Sequence, residues 1–314
     1  MQKKEESRPI TGGEILRATW KIISVGISIA LLLMFAMIFF SIFGAYIPTV
    51  QRGNVAVIPI EGLIQTDDSS SFMPGAKSSD IVKLIEQAQK NDEIKALIIE
   101  VNSPGGTPVA TDEIASAIKL VNKTKISVIR ESGTSGAYWI STAGDRIFAN
   151  RMSIVGSIGV TASRLEVPGL LADYNVTYRK LTAGRLKDAG TIYRDMTPEE
   201  TQLFQNMLDK LHTEFIKAVA ENRKLPEETV RSMATGFTYL GSEAKELGLI
   251  DEFGGRREAL QYIETKLKIK AEPIEYKEYK TIFDKIAGMT SESFYSVGKG
   301  IGSVFATDTK ISFT

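Results

Sequence analysis

Two glycine-rich turns contain the residues of this sequence that are best suited to chemistry. The motif S-G-T-S-G at Ser132 to Gly136 follows a β-branched run and precedes a helical pattern, which places Ser135 at a strand-to-helix turn with its hydroxyl exposed. The motif S-P-G-G at Ser103 to Gly106 follows another apolar run. Neighbouring parallel strands end at one edge of a sheet, so the amides of Gly106 and Gly136 could form a two-donor oxyanion hole. Taken alone, both motifs also fit an ordinary helix cap and turn, and the second also fits a phosphate cradle.

A serine nucleophile needs a base, and the composition restricts the choice. The chain has no cysteine and one histidine, His212, which excludes a cysteine nucleophile, disulfides and a multi-histidine metal site. His212 falls beside the apolar face of a long helical pattern, a position typical of a helix-flank residue. A lysine is the other possible base, because burial penalises the ammonium and lowers the pKa. Lys187, in T-A-G-R-L-K-D-A-G, is the best local candidate, although Lys180 and Arg185 are close enough that spacing does not select it.

The elements that must position these residues alternate between short β-branched runs and amphipathic helical runs. This alternation predicts an α/β domain with a parallel sheet flanked by helices. The predicted strands cover residues 55–59, 96–101, 126–130, 146–149, 154–160 and 176–181, and residues 67–79 form a loop. The predicted helices cover residues 80–89, capped by Ser79 or Asp80, and 111–121, 137–143, 197–222, 226–233 and 242–247. The fourth of these begins with the capping box of Thr197 and Glu200, and its predicted inward side chains are Phe204, Leu208, Leu211, Phe215 and Ala218.

An uncharged apolar segment at residues 22–47 predicts one membrane-spanning helix. Roughly 20 apolar residues at about 1.5 Å each cross a hydrocarbon core of about 30 Å, and the run exceeds the roughly 7–15 apolar residues of a cleaved signal peptide. Basic residues cluster before the segment, whereas only Arg52 follows it before Lys77, so the positive-inside rule places residues 1–21 in the cytoplasm. We therefore expect an extracytoplasmic catalytic domain over residues 52–280. A tail at residues 281–314 follows, either a docking or interfacial helix or a loosely held terminus.

The charge balance excludes one class of partner. The sequence has 38 Lys plus Arg residues against 38 Asp plus Glu residues, and a pI near 6.7. No dense basic stripe is present, so the chain offers no electrostatic footprint for a nucleic-acid backbone. Neither glycine-rich turn is followed by G-K-[ST], which excludes a Walker phosphate loop.

Four motifs in order, behind the predicted membrane helix, resemble the signal peptide peptidase A family of Ser–Lys membrane serine proteases. They are V-N-S-P-G-G, T-S-G-A-Y-W-I-S, G-S-I-G-V and G-R-L-K-D-A-G, and the resemblance covers about residues 54 to 265. It implies a crotonase-like fold shared with the Clp protease subunit, built as stacked ββα units. It also implies a homo-oligomeric ring, membrane lipid around the anchor, and leftover signal peptides as substrates, with no metal or other cofactor.

The resemblance gives each motif residue a role. Ser135 matches the nucleophile, Lys187 the general base, Gly106 and Gly136 the oxyanion amides, and Ser157 a hydroxyl that orients the lysine amine. The implied reaction is acyl transfer, in which neutral Lys187 takes the proton of Ser135 and a water later resolves the acyl-enzyme.

Two departures from the family pattern bear on these expectations. Ala137 stands where many relatives have a second glycine after the nucleophile, and the chain has one catalytic unit rather than two tandem halves, so a ring needs several copies. Three alternatives stay open. The first is a related protease that cleaves one membrane-protein partner, and the second is a non-catalytic oligomeric scaffold. The third, an acyl-CoA enzyme of the same fold, fits poorly with an extracytoplasmic domain.

Overall fold

The computed structural model describes residues 12–44, 53–66 and 75–277, in two units that divide between Arg52 and Gly53. The first unit contains one long helix, α1 (Gly12–Gly44). Its stretch Thr19–Met37 is long and apolar enough to cross a bilayer, a description that a signal sequence also meets. The helix begins before the predicted residue 22, because most of E-I-L-R-A-T-W-K at residues 14–21 are good helix formers. The predicted C-terminal tail lies outside the described residues.

The second unit alternates strands and helices. In chain order its elements are β1 (Val55–Glu61), β2 (Leu63–Gln65), β3 (Gly75–Lys77), α2 (Ser78–Lys90), β4 (Ala96–Ser103), α3 (Pro108–Lys119), β5 (Thr124–Thr134), α4 (Gly136–Thr142), β6 (Arg146–Ala149), β7 (Ile154–Gly156), α5 (Pro168–Asp173), α6 (Pro198–Arg223), α7 (Glu227–Met233), β8 (Thr238–Leu240), α8 (Gly241–Glu246), β9 (Glu252–Phe253), α9 (Arg256–Leu267) and β10 (Pro273–Glu275). The main sheet runs in the order β10-β1-β4-β5-β6-β9, with every neighbouring pair parallel. This arrangement confirms the predicted α/β class.

The central strands are buried on both faces, which explains their nearly continuous apolar sequences. In β4, Leu97 and Ile99 pack with helices α2, α3, α4 and α6, whereas the alternate residues Ala96 and Ile98 pack with α9 on the opposite face. Successive side chains of a strand point to opposite faces, so one run of apolar residues fills two core layers.

Strand β5 connects the core of the sheet to the site. Its first part, Ile126 to Ile129, pairs with β6, whereas its last residues, Ser132 to Thr134, pair with β7. The pairing with β4 shifts register between Val101 and Ser103. The strand thus changes partners along its length and delivers Thr134 to the edge where β7 begins a separate ladder with β8.

Several local predictions are confirmed by the described residues. The capping box of α6 is present: the Thr197 hydroxyl accepts from the Glu200 amide at 3.2 Å, and the Glu200 carboxylate accepts from the Thr197 amide at 2.9 Å. Phe215 is buried, while the predicted inward residues nearer the start of α6, including Phe204 and Leu208, are half-buried. The first half of α6 therefore overhangs a cavity rather than the closed core.

Other local predictions are wrong. Residues 176–181 form no strand and are exposed, because no neighbouring strand of the described chain offers them hydrogen-bond partners. The tight loop predicted for E-S-G-T-S-G, residues 131–136, is mostly strand, because β5 continues to Thr134, and the strand predicted through residue 160 ends at Gly156. The predicted caps of α2, Ser79 and Asp80, lie inside its first turn, because the helix begins at Ser78 and its N-cap position is Lys77, which makes no side-chain cap hydrogen bond. Part of the predicted loop at 67–79 is β3, which pairs with β2, and residues 67–74 lie outside the described chain.

Candidate active site

Ser135 occupies a strained turn between β5 and α4. Its backbone has φ 55° and ψ −129°, a conformation that residues with a side chain rarely adopt. Its amide donates to the Gly156 carbonyl at 2.8 Å, and its carbonyl accepts from the amides of Tyr138 at 2.9 Å and Trp139 at 3.1 Å. Hydrogen bonds from both sides thus fix the turn, and Ser135 itself is half-buried beside the cavity.

The residue after the serine must be glycine, because of a close neighbour. A Cβ at Gly136 would collide with the hydroxyl of Thr111 on α3. Helix α4 is also held on its buried side, where the hydroxyl of the fully buried Tyr138 donates a hydrogen bond to the Leu249 carbonyl at 2.8 Å. Burial raises the pKa of Tyr138, so its hydroxyl stays protonated and keeps this bond at neutral and moderately alkaline pH.

The second glycine-rich turn lies directly against the first. Gly105 has φ +104°, and a Cβ there would lie 2.8 Å from the Cβ of Ser135 and 2.9 Å from the amide nitrogen of Gly136. Ser103 holds this turn, since its hydroxyl donates to the Gly62 carbonyl at 2.6 Å and accepts from the Gly105 amide at 3.1 Å. The two turns therefore meet at the ends of neighbouring parallel strands, as the sequence predicts.

Two amides beside Ser135 remain available. Among the backbone hydrogen bonds that connect turns, loops and caps of the described residues, none is donated by the amide of Gly106 or Gly136. Gly106 sits so close to Ile64 that any side chain would strike the Ile64 carbonyl, which accepts from the Thr107 amide at 2.9 Å. Unpaired amides next to a serine hydroxyl are the groups that an oxyanion requires.

Ser157 reaches the same site from the end of β7. Its φ is 52°, its amide donates to the Phe237 carbonyl at 3.0 Å, and its hydroxyl donates to the Gly236 carbonyl at 3.0 Å. The hydroxyl oxygen keeps lone pairs with which it can accept another hydrogen bond. A serine in this arrangement can orient an amine that approaches Ser135.

These residues share one cavity of about 950 Å³. Ser135, Gly106, Gly136 and Ser157 all line it, and its walls are mainly apolar. The ring of Trp139 stacks on Phe215 with centroids 5.2 Å apart, and further apolar lining comes from Val109, Val160, Ala162, Met207, Leu208, Leu211 and Ala234. Helix α6 contributes Met207, Leu208, Leu211 and Phe215 to this wall, and the last three are among its predicted inward side chains. An apolar groove beside a serine hydroxyl suits an extended apolar peptide.

Lys187 is not among the residues that line this cavity. It lies in an irregular, exposed part of the chain between α5 and α6, and its amide donates to the Gly184 carbonyl at 3.1 Å. No hydrogen bond or ion pair joins its ammonium to any described residue. Within one chain, the structure thus brings four of the five expected site residues together and leaves Lys187 apart.

His212 lies on α6 and lines the same cavity as Ser135, a placement that its predicted helix-flank position did not indicate. Its Nε2 atom is buried and has no hydrogen-bond partner in the described part of the chain. A catalytic base must be oriented by a partner, and none is present here. Across residues 12–44, 53–66 and 75–277, no group of three His, Cys, Asp or Glu residues is placed to hold a metal ion.

The comparisons with known proteins decide the family. The model of peptidase family S49 matches residues 119–270. An archaeal protein from Methanocaldococcus jannaschii, named as a protease, is 36% identical over 236 residues, which cover 74% of this chain and 75% of that protein. The chain belongs to this family, the signal peptide peptidase A family. It is therefore a serine peptidase by family, which confirms the resemblance carried by the four motifs.

Other S49 relatives differ in length. A protein of Enterococcus faecium named as signal peptide peptidase SppA is 33% identical, over 63% of this chain and 59% of that protein. Protease 4 of Haemophilus influenzae is 29% identical over 67% of this chain but only 34% of its own length, so this chain spans about a third of that longer relative. Among solved structures, a ClpP1 mutant from Listeria monocytogenes has a TM-score of 0.43 and 18% identity, over 64% of this chain and 92% of that one.

Proposed function

We propose that this S49 chain is a membrane-anchored endopeptidase in which Ser135 and Lys187 form a catalytic dyad. The observation that carries the proposal is the convergence of Ser135, Gly106, Gly136 and Ser157 on one apolar cavity. Each of these residues stands in the motif position that gives it its role in the family. The Ser135 hydroxyl attacks the scissile carbonyl, and the amides of Gly106 and Gly136 hold the oxyanion.

Lys187 acts as the base in its neutral form. It takes the proton of the Ser135 hydroxyl during attack and returns it to the leaving amine, after which a water resolves the acyl-enzyme. Ser157 accepts a hydrogen bond from the lysine amine and keeps it directed at Ser135. A free lysine has a pKa of about 10.4, so Lys187 works only where surrounding groups exclude water from its amine.

A neighbouring copy of the chain provides the groups that exclude water from the Lys187 amine. Lys187 is exposed within its own chain, and the segment around it, residues 161–196, whose one regular element is the short helix α5, exposes many apolar side chains. Leu165 is 82% exposed, Tyr174 75% and Leu181 fully exposed. Concentrated apolar exposure of this kind is typical of an interaction surface. We infer that the segment packs on a second copy, that Lys187 enters the site of that copy, and that repetition closes a homo-oligomeric ring.

The substrates follow from the cavity and the anchor. Helix α1 holds the catalytic unit at the outer face of the membrane, with the N-terminus in the cytoplasm. Apolar walls beside Ser135 favour small or apolar residues of an extended peptide. Signal-peptide remnants and other membrane-associated peptides have this chemistry, and the reaction needs no cofactor.

The test is peptide hydrolysis by the full chain in detergent micelles, together with labelling by a fluorophosphonate serine probe. Ser135→Ala should remove labelling, and both Ser135→Ala and Lys187→Ala should lower hydrolysis by at least about 1,000-fold, with the double variant no worse than either single one. Ser132→Ala, in the same motif, is the matched serine control and should label normally. Lys217→Ala, on an exposed part of α6, is the lysine control. His212→Ala should keep nearly full turnover. Normal hydrolysis by Lys187→Ala would refute the dyad.

A further inference from the structure

The turn that carries Lys187 is compact although it belongs to no regular element. Gly184 and Gly190 bound it, with φ values of +102° and +79° that glycine adopts readily. Inside it, the Lys187 amide donates to the Gly184 carbonyl, and the Ala189 amide donates to the Leu186 carbonyl at 3.0 Å. We call residues 184–190 the lysine turn. Lys187 projects outward from it, whereas its neighbour Asp188 is buried.

Asp188 receives hydrogen bonds from three side chains. The Tyr178 hydroxyl donates to Oδ1 at 2.7 Å, Arg194 Nε donates to Oδ2 at 2.8 Å, and the Lys180 ammonium lies 3.3 Å from Oδ2. The hydrogen bond from Tyr178, with those from Arg194 and Lys180, lowers the pKa of Asp188. A buried, ionised carboxylate therefore sits directly beside the candidate base in the sequence.

Arg194 connects this carboxylate to helix α6. Its Nη2 and Nη1 atoms donate to Oε1 and Oε2 of Glu200 at 2.7 and 2.9 Å, while Nη2 also reaches the Asp188 carbonyl at 3.2 Å. Glu200 is itself fixed, since the same carboxylate caps the start of α6 through the Thr197 amide. A paired guanidinium–carboxylate contact has a defined geometry, unlike a single point contact. We call Asp188, Arg194 and Glu200 the latch.

A packing contact supports the latch at the far end of the turn. A Cβ at Gly190 would lie 3.0 Å from Cζ of Phe204, so the glycine backbone rests on a side chain of α6. The lysine turn thus contacts α6 directly through Gly190 on Phe204 and through the Arg185–Glu199 ion pair, and it is linked to α6 a third time through the latch.

From these contacts we propose that Asp188, Arg194 and Glu200 are positioning residues that set where Lys187 projects. The inference rests on the proposed dyad and goes one step beyond it. An exposed turn without regular structure has many accessible orientations, and a general base must hold its place to within a fraction of an ångström. Fastening the turn to the first turn of α6 removes most of that freedom, although no latch residue touches the reacting atoms.

The decisive variant is Arg194→Gln, and the chain offers a closely matched control. Arg185 on the lysine turn pairs with Glu199 on α6, so Arg185→Gln breaks an ion pair between the same two elements, but at an exposed site where such pairs contribute little. We expect Arg194→Gln to lower kcat by about 100-fold with KM within about twofold of wild type, as expected for a displaced catalytic group. Arg185→Gln should leave both values within about twofold.

The pH profile separates positioning from general stability. The rate of Ser135 labelling by the fluorophosphonate probe, measured against pH on the full chain in micelles, reports the ionisation of its base. A lysine that spends less time in the desolvated site should titrate closer to free lysine, so Arg194→Gln should move the midpoint upward while Arg185→Gln leaves it in place. Arg194→Lys keeps the charge without the two-point contact and should restore the profile only in part.

Hydrogen exchange supplies a readout that needs no activity. Amides of residues 184–196 should exchange faster in Arg194→Gln, with the rest of the chain unchanged. If Arg194→Gln lowers the melting temperature broadly, the decision passes to Tyr178→Phe, which keeps the ring packed on Tyr193 and removes one hydrogen bond to Asp188. A raised midpoint in Tyr178→Phe then supports the latch, and an unchanged midpoint overturns it.

The two proposals fail in different ways. Wild-type hydrolysis by Lys187→Ala would end the dyad and the latch together. An inactive Lys187→Ala combined with a wild-type midpoint, kcat and exchange rate in a folded Arg194→Gln would overturn the latch alone.

Discussion

Mixing two inactive variants tests whether the site is shared between copies. Ser135→Ala chains keep Lys187, and Lys187→Ala chains keep Ser135. Because Lys187 does not line the cavity that holds Ser135 in its own chain, each variant should supply what the other lacks. We therefore expect activity from the mixture although neither component has any.

The expected size follows from the ring arrangement. In an oligomer assembled at random from equal amounts, half of the cavities contain an intact serine, and half of the neighbours that serve them carry an intact lysine. About one quarter of the sites should then be complete when each interface is head-to-tail. A site built within one chain gives no complete sites at any mixing ratio.

The assay uses co-expression of the two variants with different affinity tags, followed by purification on both tags in detergent. Hydrolysis of a fluorogenic peptide with small apolar residues is then compared with wild type at equal subunit concentration. The control pairs Ser135→Ala with the double variant and should stay inactive, because no intact serine is present.

The outcome has a clear refutation. Two-tag oligomers that contain both variants and show no hydrolysis would contradict the shared site and place Lys187 at the serine of its own chain. Activity near one quarter of wild type supports the exchange of Lys187 between copies.

Four further predictions concern the turn, the base, the latch and the topology. Gly105→Ala places a Cβ 2.8 Å from the Cβ of Ser135 on a backbone with φ +104°. We expect it to lower the free energy of unfolding by about 1–3 kcal/mol and to slow labelling of Ser135 by the serine probe. Unchanged labelling would contradict the close contact. The rate of hydrolysis should rise with pH through one ionisation whose midpoint lies below about 10.4, the pKa of free lysine. Lys187→Arg should be inactive because guanidinium keeps its proton. A flat rate profile from pH 5 to 10 argues against a lysine base. The hydrogen bond from Arg194 lowers the pKa of Glu200 from 4.5 to about 2, so its ionised form stabilises the fold fully above pH 4.5 and progressively less toward pH 2. The difference in melting temperature between wild type and Glu200→Gln should shrink over that interval, and a constant difference would show that ionisation is not involved. Protease added to intact spheroplasts should cut within residues 53–277 and spare the N-terminus, whereas cleavage only after lysis reverses the orientation.

Much of the sheet edge around Ser135 could be predicted from local sequence. A β-branched run, a glycine-rich turn and a short helical pattern specify a strand, a turn and a helix within a few residues, and the structure has them at β5, Ser135 and α4. The meeting of this turn with the one at Gly105 follows from parallel strand order. The capping box at Thr197 was equally local, since both partners lie within one helical turn.

The predictions that proved wrong concern residues whose structure depends on contacts with distant parts of the chain, and no local sequence pattern specifies such contacts. Residues 176–181 have strand-like composition, yet a strand forms only where a neighbour offers hydrogen bonds, and the described chain has none beside them. Lys187 does not line the cavity of its own chain, and in the proposed ring its placement depends on a neighbouring copy, which no local pattern specifies. The contacts of Arg194 were not predicted because its carboxylate partners Asp188 and Glu200 lie in different parts of the chain, although Glu200 itself was predicted as part of the capping box.

The hydrogen bond that closes the Ser135 turn has a consequence for synthesis on the ribosome. The Ser135 amide donates to Gly156 at the end of β7, and β7 is held by β8, which ends at Leu240. A strained turn persists only when the surrounding structure enforces it. The Ser135 turn therefore closes only after the chain has been translated past β8, since a pair of strands forms only when both strands are present. Until then Ser135 lacks the hydrogen bond to Gly156 that holds its backbone in the strained conformation.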